Sequence, residues 1–356
     1  MMKKKVTTSA IENPRELGYR MPAEWEEHDA VWIAWPHDPT TFPDRVEKVE
    51  QTYVRIVELI HESECVNLLV RDERMKEKVK NLFEGANVDL RRVCFFEFDY
   101  ADVWFRDYGP IFVLNEHKKI AMVHWKFNSW GGKYQELLRD AQIPDVISRK
   151  MGLPRFEPGM VLEGGSIDVN GKGTLLTTEQ CLLNKNRNPQ LDKKEIQKRL
   201  SDYLGVKHFI WLKRGIEGDD TDGHIDDIAR FVTPSTVICA YEEDTSDDNY
   251  PALKENYEIL KRSVDQDGEK LRVVKLPTPG IVGDKGSRLP ASYANFYISN
   301  KAVLVPVFGH KNDSKALSIL QELFPDRKVQ GVNCCDLAYG FGTIHCVTQQ
   351  QPNSTK

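Results

Sequence analysis

The sequence predicts an α/β fold in which a ββαβ unit repeats five times and closes into a ring, as in a propeller. Three observations carry that prediction. Apolar, β-branched segments pair across turn residues at four places, a stretch with helical apolar spacing follows each pair, and the N-terminal unit lacks a first strand that the C-terminal end can supply. A ring joined in this way leaves no sheet edge exposed. Element order alone also fits an ordinary mixed α/β sheet with hairpins.

The first pair joins 111–114 to 120–125, and the second joins 166–169 to 174–177 across Asn170-Gly171, a strong hairpin signal. The third joins 228–232 to 236–241 across Thr233-Pro234-Ser235, and the fourth joins 296–298 to 302–308 across Ser299-Asn300-Lys301. Helical spacing then recurs over 134–150, 193–204, 252–264 and 315–323, with apolar strands after it at 209–212 and 271–276. At the N-terminus, strand 30–35, helix 46–62 and strand 66–70 make a unit whose missing strand is the run 343–349. Segments 244–249 and 280–288 read as surface loops of a single domain spanning 1–356, with flexible tails at 1–15 and 351–356.

Composition narrows the class. The 356 residues are 40% hydrophobic, with seven Trp and fifteen Phe, enough for a substantial core. Net charge is −5 with scattered Lys and Arg, so the basic stripe of a nucleic-acid binder is missing, and a mildly acidic surface suits cationic small molecules. The opening Met1-Met2-Lys3-Lys4-Lys5-Val6 leads into a polar run, unlike a signal peptide, and no segment is apolar enough to span a membrane. Seven cysteines without paired spacing argue for reduced thiols and a cytoplasmic location.

Polar candidates recur at one phase of the repeat. Asp107 comes just ahead of the first pair, Glu163 the second, His224 and Asp226 the third and Asn295 the fourth, while Cys346 lies in the closing strand. A ring would gather them on its axis. Cys346 follows Gly340-Phe341-Gly342, which permits close approach of a ligand, although a lone thiol is more often buried and inert. On an extended strand, His345 would face away from Cys346, whereas His224 and Asp226 would share a side. Most of the acidic run 217–222 reads as a loop or helix cap. Trp104 could cover a planar cation, and Asp107 with Asp226 could grip a guanidinium between them through paired hydrogen bonds.

These residues resemble the agmatine deiminases of the guanidine-modifying pentein superfamily, related to the bacterial-type peptidylarginine deiminases. The resemblance rests on Met21-Pro22-Ala23-Glu24-Trp25-Glu26, Trp104-Phe105-Arg106-Asp107-Tyr108-Gly109-Pro110, Phe127-Asn128-Ser129-Trp130-Gly131-Gly132-Lys133, Leu162-Glu163-Gly164-Gly165-Ser166, Asp222-Gly223-His224-Ile225-Asp226, Ser292-Tyr293-Ala294-Asn295-Phe296-Tyr297 and Ile344-His345-Cys346-Val347-Thr348-Gln349-Gln350. It implies a five-fold ββαβ propeller with Cys346 as nucleophile, His224 as general acid and base, and Asp107 and Asp226 on the guanidinium. Glu163 would match the acid that orients the histidine. Trp104, Trp130 and the acids near Asp220 would take the aliphatic arm and distal amine, with Asn295 also placed in the substrate site. Many relatives read Gly-Gly-Gly-Asn where this chain has Gly340-Phe341-Gly342-Thr343, a departure that bears on pocket shape.

The implied reaction is hydrolysis of agmatine to N-carbamoylputrescine and ammonia through a covalent Cys346 intermediate, with no cofactor and no metal. A small cationic guanidine is the expected partner, and a homodimer is an open possibility. Three other readings compete: a peptidylarginine or other guanidine deiminase, a metal hydrolase using Glu163, Asp222, His224 and Asp226, and a non-catalytic binding scaffold.

Overall fold

The computed structural model of the chain describes residues 13–283 and 288–354. Within them the strands sort into five small sheets on one plan. The first contains β1 (His28–Ala34), β2 (Cys65–Val70) and β3 (Val93–Glu97), all parallel. In the second, β4 (Ile111–Leu114) pairs antiparallel with β5 (Ile120–Val123), and β5 pairs parallel with β6 (Arg155–Phe156). The same antiparallel-then-parallel order builds β7 (Asp168–Val169), β8 (Thr174–Thr178) and β9 (His208–Leu212), then β10 (Ala229–Thr233), β11 (Thr236–Tyr241) and β12 (Arg272–Pro277), then β13 (Tyr297–Ile298), β14 (Ala302–Val307) and β15 (Lys328–Asn333). Finally β16 (Gln349–Pro352) pairs antiparallel with β1 and supplies the strand the first unit lacked.

Residue types explain each strand's place. β2 and β14, Cys-Val-Asn-Leu-Leu-Val and Ala-Val-Leu-Val-Pro-Val, are buried along almost their whole length because sheet neighbours flank them and helices cover them. The parallel outer strands β12 and β15 carry Arg272, Lys275 and Lys328 toward water, which blunts an edge otherwise open to pairing. In each unit a helix bridges one parallel pair: Val46–Ile60, Ile143–Met151, Lys193–Leu204, Tyr250–Arg262 and Asp313–Leu323. Asp192 starts the third with a capping box to Glu195, and Gly205 ends it at φ 71°.

Several expectations need correction. The stretch 134–150 is not one helix but a 3₁₀ segment, Gln135–Gln142, followed by Ile143–Met151, whose first turn holds Pro144. A helix at Glu73–Gly85 and strand β3 went unforeseen; that helix buries only Val79 and Phe83, so its apolar signal is faint. Residues 351–354, expected in a flexible tail, are tied down: Gln351 and Pro352 are buried in β16, Asn353 N–H donates to Glu27 O, and Ser354 donates to Asp29. At the other end Arg15 N–H donates to Asp202 O. Tail residues 1–12 and 355–356 lie outside the described residues. No helix among the described residues is long and apolar enough to cross a membrane.

Candidate active site

A single helical turn stands ahead of the first strand of each unit, and these turns carry the polar candidates. They are Phe105–Tyr108, Gly164–Ser166, Ile225–Asp227, the turn in which Asn295 N–H donates to Ser292 O, and Ile344–Val347. The strand expected over 343–349 therefore begins only at Gln349, and Cys346 sits on a helical turn. Asn295 causes the change. Its Oδ1 accepts from Thr343 Oγ1 at 2.7 Å and His345 N at 3.0 Å, satisfying groups that would otherwise need a sheet neighbour. His224 and Asp226 likewise belong to a 3₁₀ turn, not a strand, so their shared direction comes from the turn. Nor does His345 face away from Cys346 as a strand would require; both approach Asp226 Oδ2, His345 Nδ1 at 2.7 Å and Cys346 Sγ at 3.9 Å.

The groups converge on one point. A Cβ placed on Gly165 would lie 2.6 Å from His224 Nδ1, 2.9 Å from Asp107 Oδ1 and 3.0 Å from Asp226 Oδ2. Only a glycine leaves that space open. Asp107 Oδ1 accepts from Gly165 N–H at 3.0 Å, and its Oδ2 from Trp130 Nε1–H at 2.9 Å. Trp130 and Ser129 hold left-handed backbone, φ 51° and 57°, a strain that places the indole beside the acid. Asn295 Nδ2–H donates to Cys346 Sγ at 3.2 Å. Trp104 donates from Nε1 to Asp102 Oδ2, and its ring packs so closely on Gly342 that a Cβ there would meet Cζ3 at 2.5 Å and Cys346 Cβ at 3.1 Å.

Trp104, Trp130, Asp107, Asp220 and Cys346 line one cavity of about 370 Å³. Its wall also includes Asp38, Asp102 and Glu136 but, among the described residues, no Lys or Arg. Asp220 accepts from Tyr134 Oη at 2.5 Å. His224 lies behind Asp107, with its Nδ1 3.7 Å from Asp107 Oδ1, and neither ring nitrogen has a hydrogen-bond partner among the described residues.

Burial and like charge set the protonation states. Burial pushes the Asp107 carboxyl up to about 6 against the pull of His224. Asp226 stays below the usual carboxylate range despite burial, because His345, His224 and Arg230 outweigh it. The Cys346 thiol is held well above its ordinary value by burial and by Asp226, Asp227 and Asp107. For His224 burial pulls down, but Asp107, Cys181 and Asp226 prevail and raise it well above the ordinary imidazole value.

Glu163, expected to orient His224, spends Oε1 on Arg187 Nε at 2.7 Å while Oε2 lacks a partner among the described residues. It nevertheless clusters with Cys181 and His224, their ligand atoms within 4.8 Å of one another. Asp226, Asp227 and Cys346 form a second such trio. The metal set drawn from the sequence does not assemble, since Asp222 is taken by Arg187, Lys133 and Asn186. The rest of the acidic run 217–222 is largely structural, with Asp219 accepting from Thr221 and Gly223.

The profile of the Porphyromonas-type peptidyl-arginine deiminase family matches residues 20–352. The chain belongs to that family. A Legionella pneumophila (strain Paris) relative, whose name assigns it provisionally to the agmatine deiminases, is 40% identical over 347 residues, 96% of this chain and 98% of its own length. Two solved structures are also similar. The agmatine deiminase of Enterococcus faecalis is 36% identical with a TM-score of 0.89, over 96% of this chain and 98% of that one. A cysteine-to-serine variant of C. jejuni agmatine deiminase with substrate bound is 32% identical with a TM-score of 0.85, over 95% and 97%. Within the deiminase family framework, all five units of this chain contribute to the convergent site: Asp107, Glu163, His224 with Asp226, Asn295, and Cys346.

Proposed function

We propose that this chain is an agmatine deiminase, hydrolysing agmatine to N-carbamoylputrescine and ammonia. The observation that carries the reading is the cavity that Cys346 lines together with several acids and, among the described residues, no basic one. A substrate cationic at both ends fits such a wall, whereas free arginine would bring its α-carboxylate against Asp38, Glu136 or Asp220. The indoles of Trp104 and Trp130 suit the methylene arm, and Asp220 suits the distal ammonium.

In this mechanism Asp107 and Asp226 pair with the guanidinium and hold its carbon before Cys346 Sγ. The bound cation offsets the three carboxylates that keep the thiol protonated, so the thiol releases its proton to solvent and the thiolate forms an S–C bond. His224, held protonated, gives its proton to the departing nitrogen as the C–N bond breaks and ammonia leaves. The neutral imidazole then takes a proton from water, whose oxygen attacks the amidino-thioether carbon. Collapse breaks the S–C bond and forms the urea carbonyl as the hydroxyl proton passes to the departing sulfur, which restores the thiol and the imidazolium, while the released ammonia takes up the proton given earlier to solvent. The substrate carbon is itself electrophilic, so these steps draw only on the chain's own residues and water.

Ammonia release measured with agmatine, free arginine and a peptide arginine tests the substrate. Agmatine alone should respond. Equal or greater turnover of the peptide would transfer the site to the peptidylarginine reading, which the family's name keeps as the second candidate.

A further inference from the structure

Behind the proposed guanidinium grip lies a buried chain of charge that the mechanism above does not use. His345 Nδ1 is 2.7 Å from Asp226 Oδ2, and its Nε2 is 2.8 Å from Glu24 Oε2. Glu24 in turn meets Arg230 at 3.0 Å and Arg106 at 3.4 Å, and its Oε1 accepts from Ile298 N–H at 2.8 Å. Arg230 continues to Asp168 at 2.5 Å. Every member of this chain is buried. The other oxygen of Asp226, Oδ1, has no hydrogen-bond partner among the described residues.

We propose that His345 is a positioning residue for Asp226: its Nδ1–H holds Oδ2 of that carboxylate, its Nε2–H is anchored on Glu24, and the carboxylate is thereby fixed beside Cys346, whose Sγ lies 3.9 Å from Oδ2. Ionised carboxylates only accept hydrogen bonds, and both Asp226 and Glu24 lie on the ionised side: burial opposes this, but His345 and Arg230 outweigh it at each acid. Each ring nitrogen must therefore carry a hydrogen. Asp107 and Asp227 bring like charge near Asp226, and Arg230 and His224 oppose it together with His345. The turn Ile344–Val347 thus brings two functions in consecutive residues, the support in His345 and the sulfur in Cys346.

The inference rests on the deiminase reading, and its test separates the two. Wild-type ammonia release from agmatine addresses that reading. For His345, kinetics of His345→Leu and His345→Asn are compared across pH, with agmatine binding to Cys346→Ser measured by calorimetry with and without each change. Loss of a hydrogen bond to a charged group predicts that His345→Leu raises KM about tenfold or more and weakens agmatine binding to the same degree. It also raises the Asp226 carboxyl toward the value of about 6 that Asp107 already sets, so the acid limb of kcat/KM becomes steeper. His345→Asn, whose amide can still donate to Oδ2, recovers most of KM. A purely structural residue would lower Tm yet leave the pH profile and binding constant in place, and that result would overturn the proposal, as would His345→Asn behaving no better than His345→Leu. Should both variants fail to fold, nitrogen-15 shifts of the wild-type His345 ring decide at neutral pH. Two protonated nitrogens support the bridge, and a single neutral tautomer contradicts it. The binding comparison stands even if the wild-type protein releases no ammonia.

Discussion

Gly165 occupies the place where an added methyl would touch His224, Asp107 and Asp226 at once. Gly165→Ala should therefore fold with a loss of about 1–3 kcal/mol from overpacking, while kcat/KM falls by about a hundredfold or more because the three reacting groups are displaced. Thermal melts beside steady-state kinetics check this, and near-normal activity would show that the three side chains need not meet. The Asp107 carboxyl sets a pH dependence. Its folded value of about 6 lies above the unfolded value of 3.8, so the native state binds the extra proton. Its contribution to stability is fully present below about pH 4 and is lost as pH rises through 6, a change of roughly 3 kcal/mol. A bound guanidinium pairs with the ionised form and restores what was lost. Agmatine should then raise the Tm of Cys346→Ser more at pH 8 than at pH 5, and the opposite order would place the cation elsewhere. At this scale Cys346, His224, Asp107 and Asp226 were legible because their chemistry is distinctive and their phase repeats. Glu24, Cys181 and Arg187 were not. Glu24 lies in the Met21–Glu26 motif but drew no role, because its partner His345 is 321 positions away and nothing local points to it.

The decisive elements are the short helical turns, and they are where sequence patterning misled. Thr343, Ile344, Val347 and Thr348 have strand propensity, yet the backbone there coils because Asn295, from a distant unit, satisfies it. Tertiary contact overrode local preference. Asn295→Ala should loosen that turn, leaving the buried Thr343 hydroxyl unpaired while His345 N–H keeps the backbone carbonyl of residue 295, and cost about 1–3 kcal/mol by the usual penalty for one such group. Activity should drop further than stability implies, since Cys346 also loses the Nδ2–H at its sulfur. Chemical denaturation alongside kinetics measures both, and an unchanged midpoint would mean the turn forms without the cap. The hairpins were read more accurately, because Asn170 closes its own loop by accepting from Lys172, Gly173 and Thr174 N–H groups, a signal contained in neighbouring residues.

Across the whole molecule, the pairing of β16 with β1 ties the two ends of the chain together and seats the Cys346 turn beside the Asp107 and Asp226 turns. Strand order was legible from hairpin spacing and the orphan first strand. The make-up of the pocket wall was not, because it combines Asp38, Asp102, Glu136, Asp220 and Phe341 from segments with no shared period. That assembly makes one claim central: a sulfur lining an acid-walled cavity attacks a flat cation. Acid quenching during turnover of agmatine, followed by peptide mass analysis, tests it most directly. The peptide bearing Cys346 should gain the mass of agmatine less ammonia, with no gain in Cys346→Ser. Full turnover by Cys346→Ser, or an adduct confined to another residue, would contradict the account.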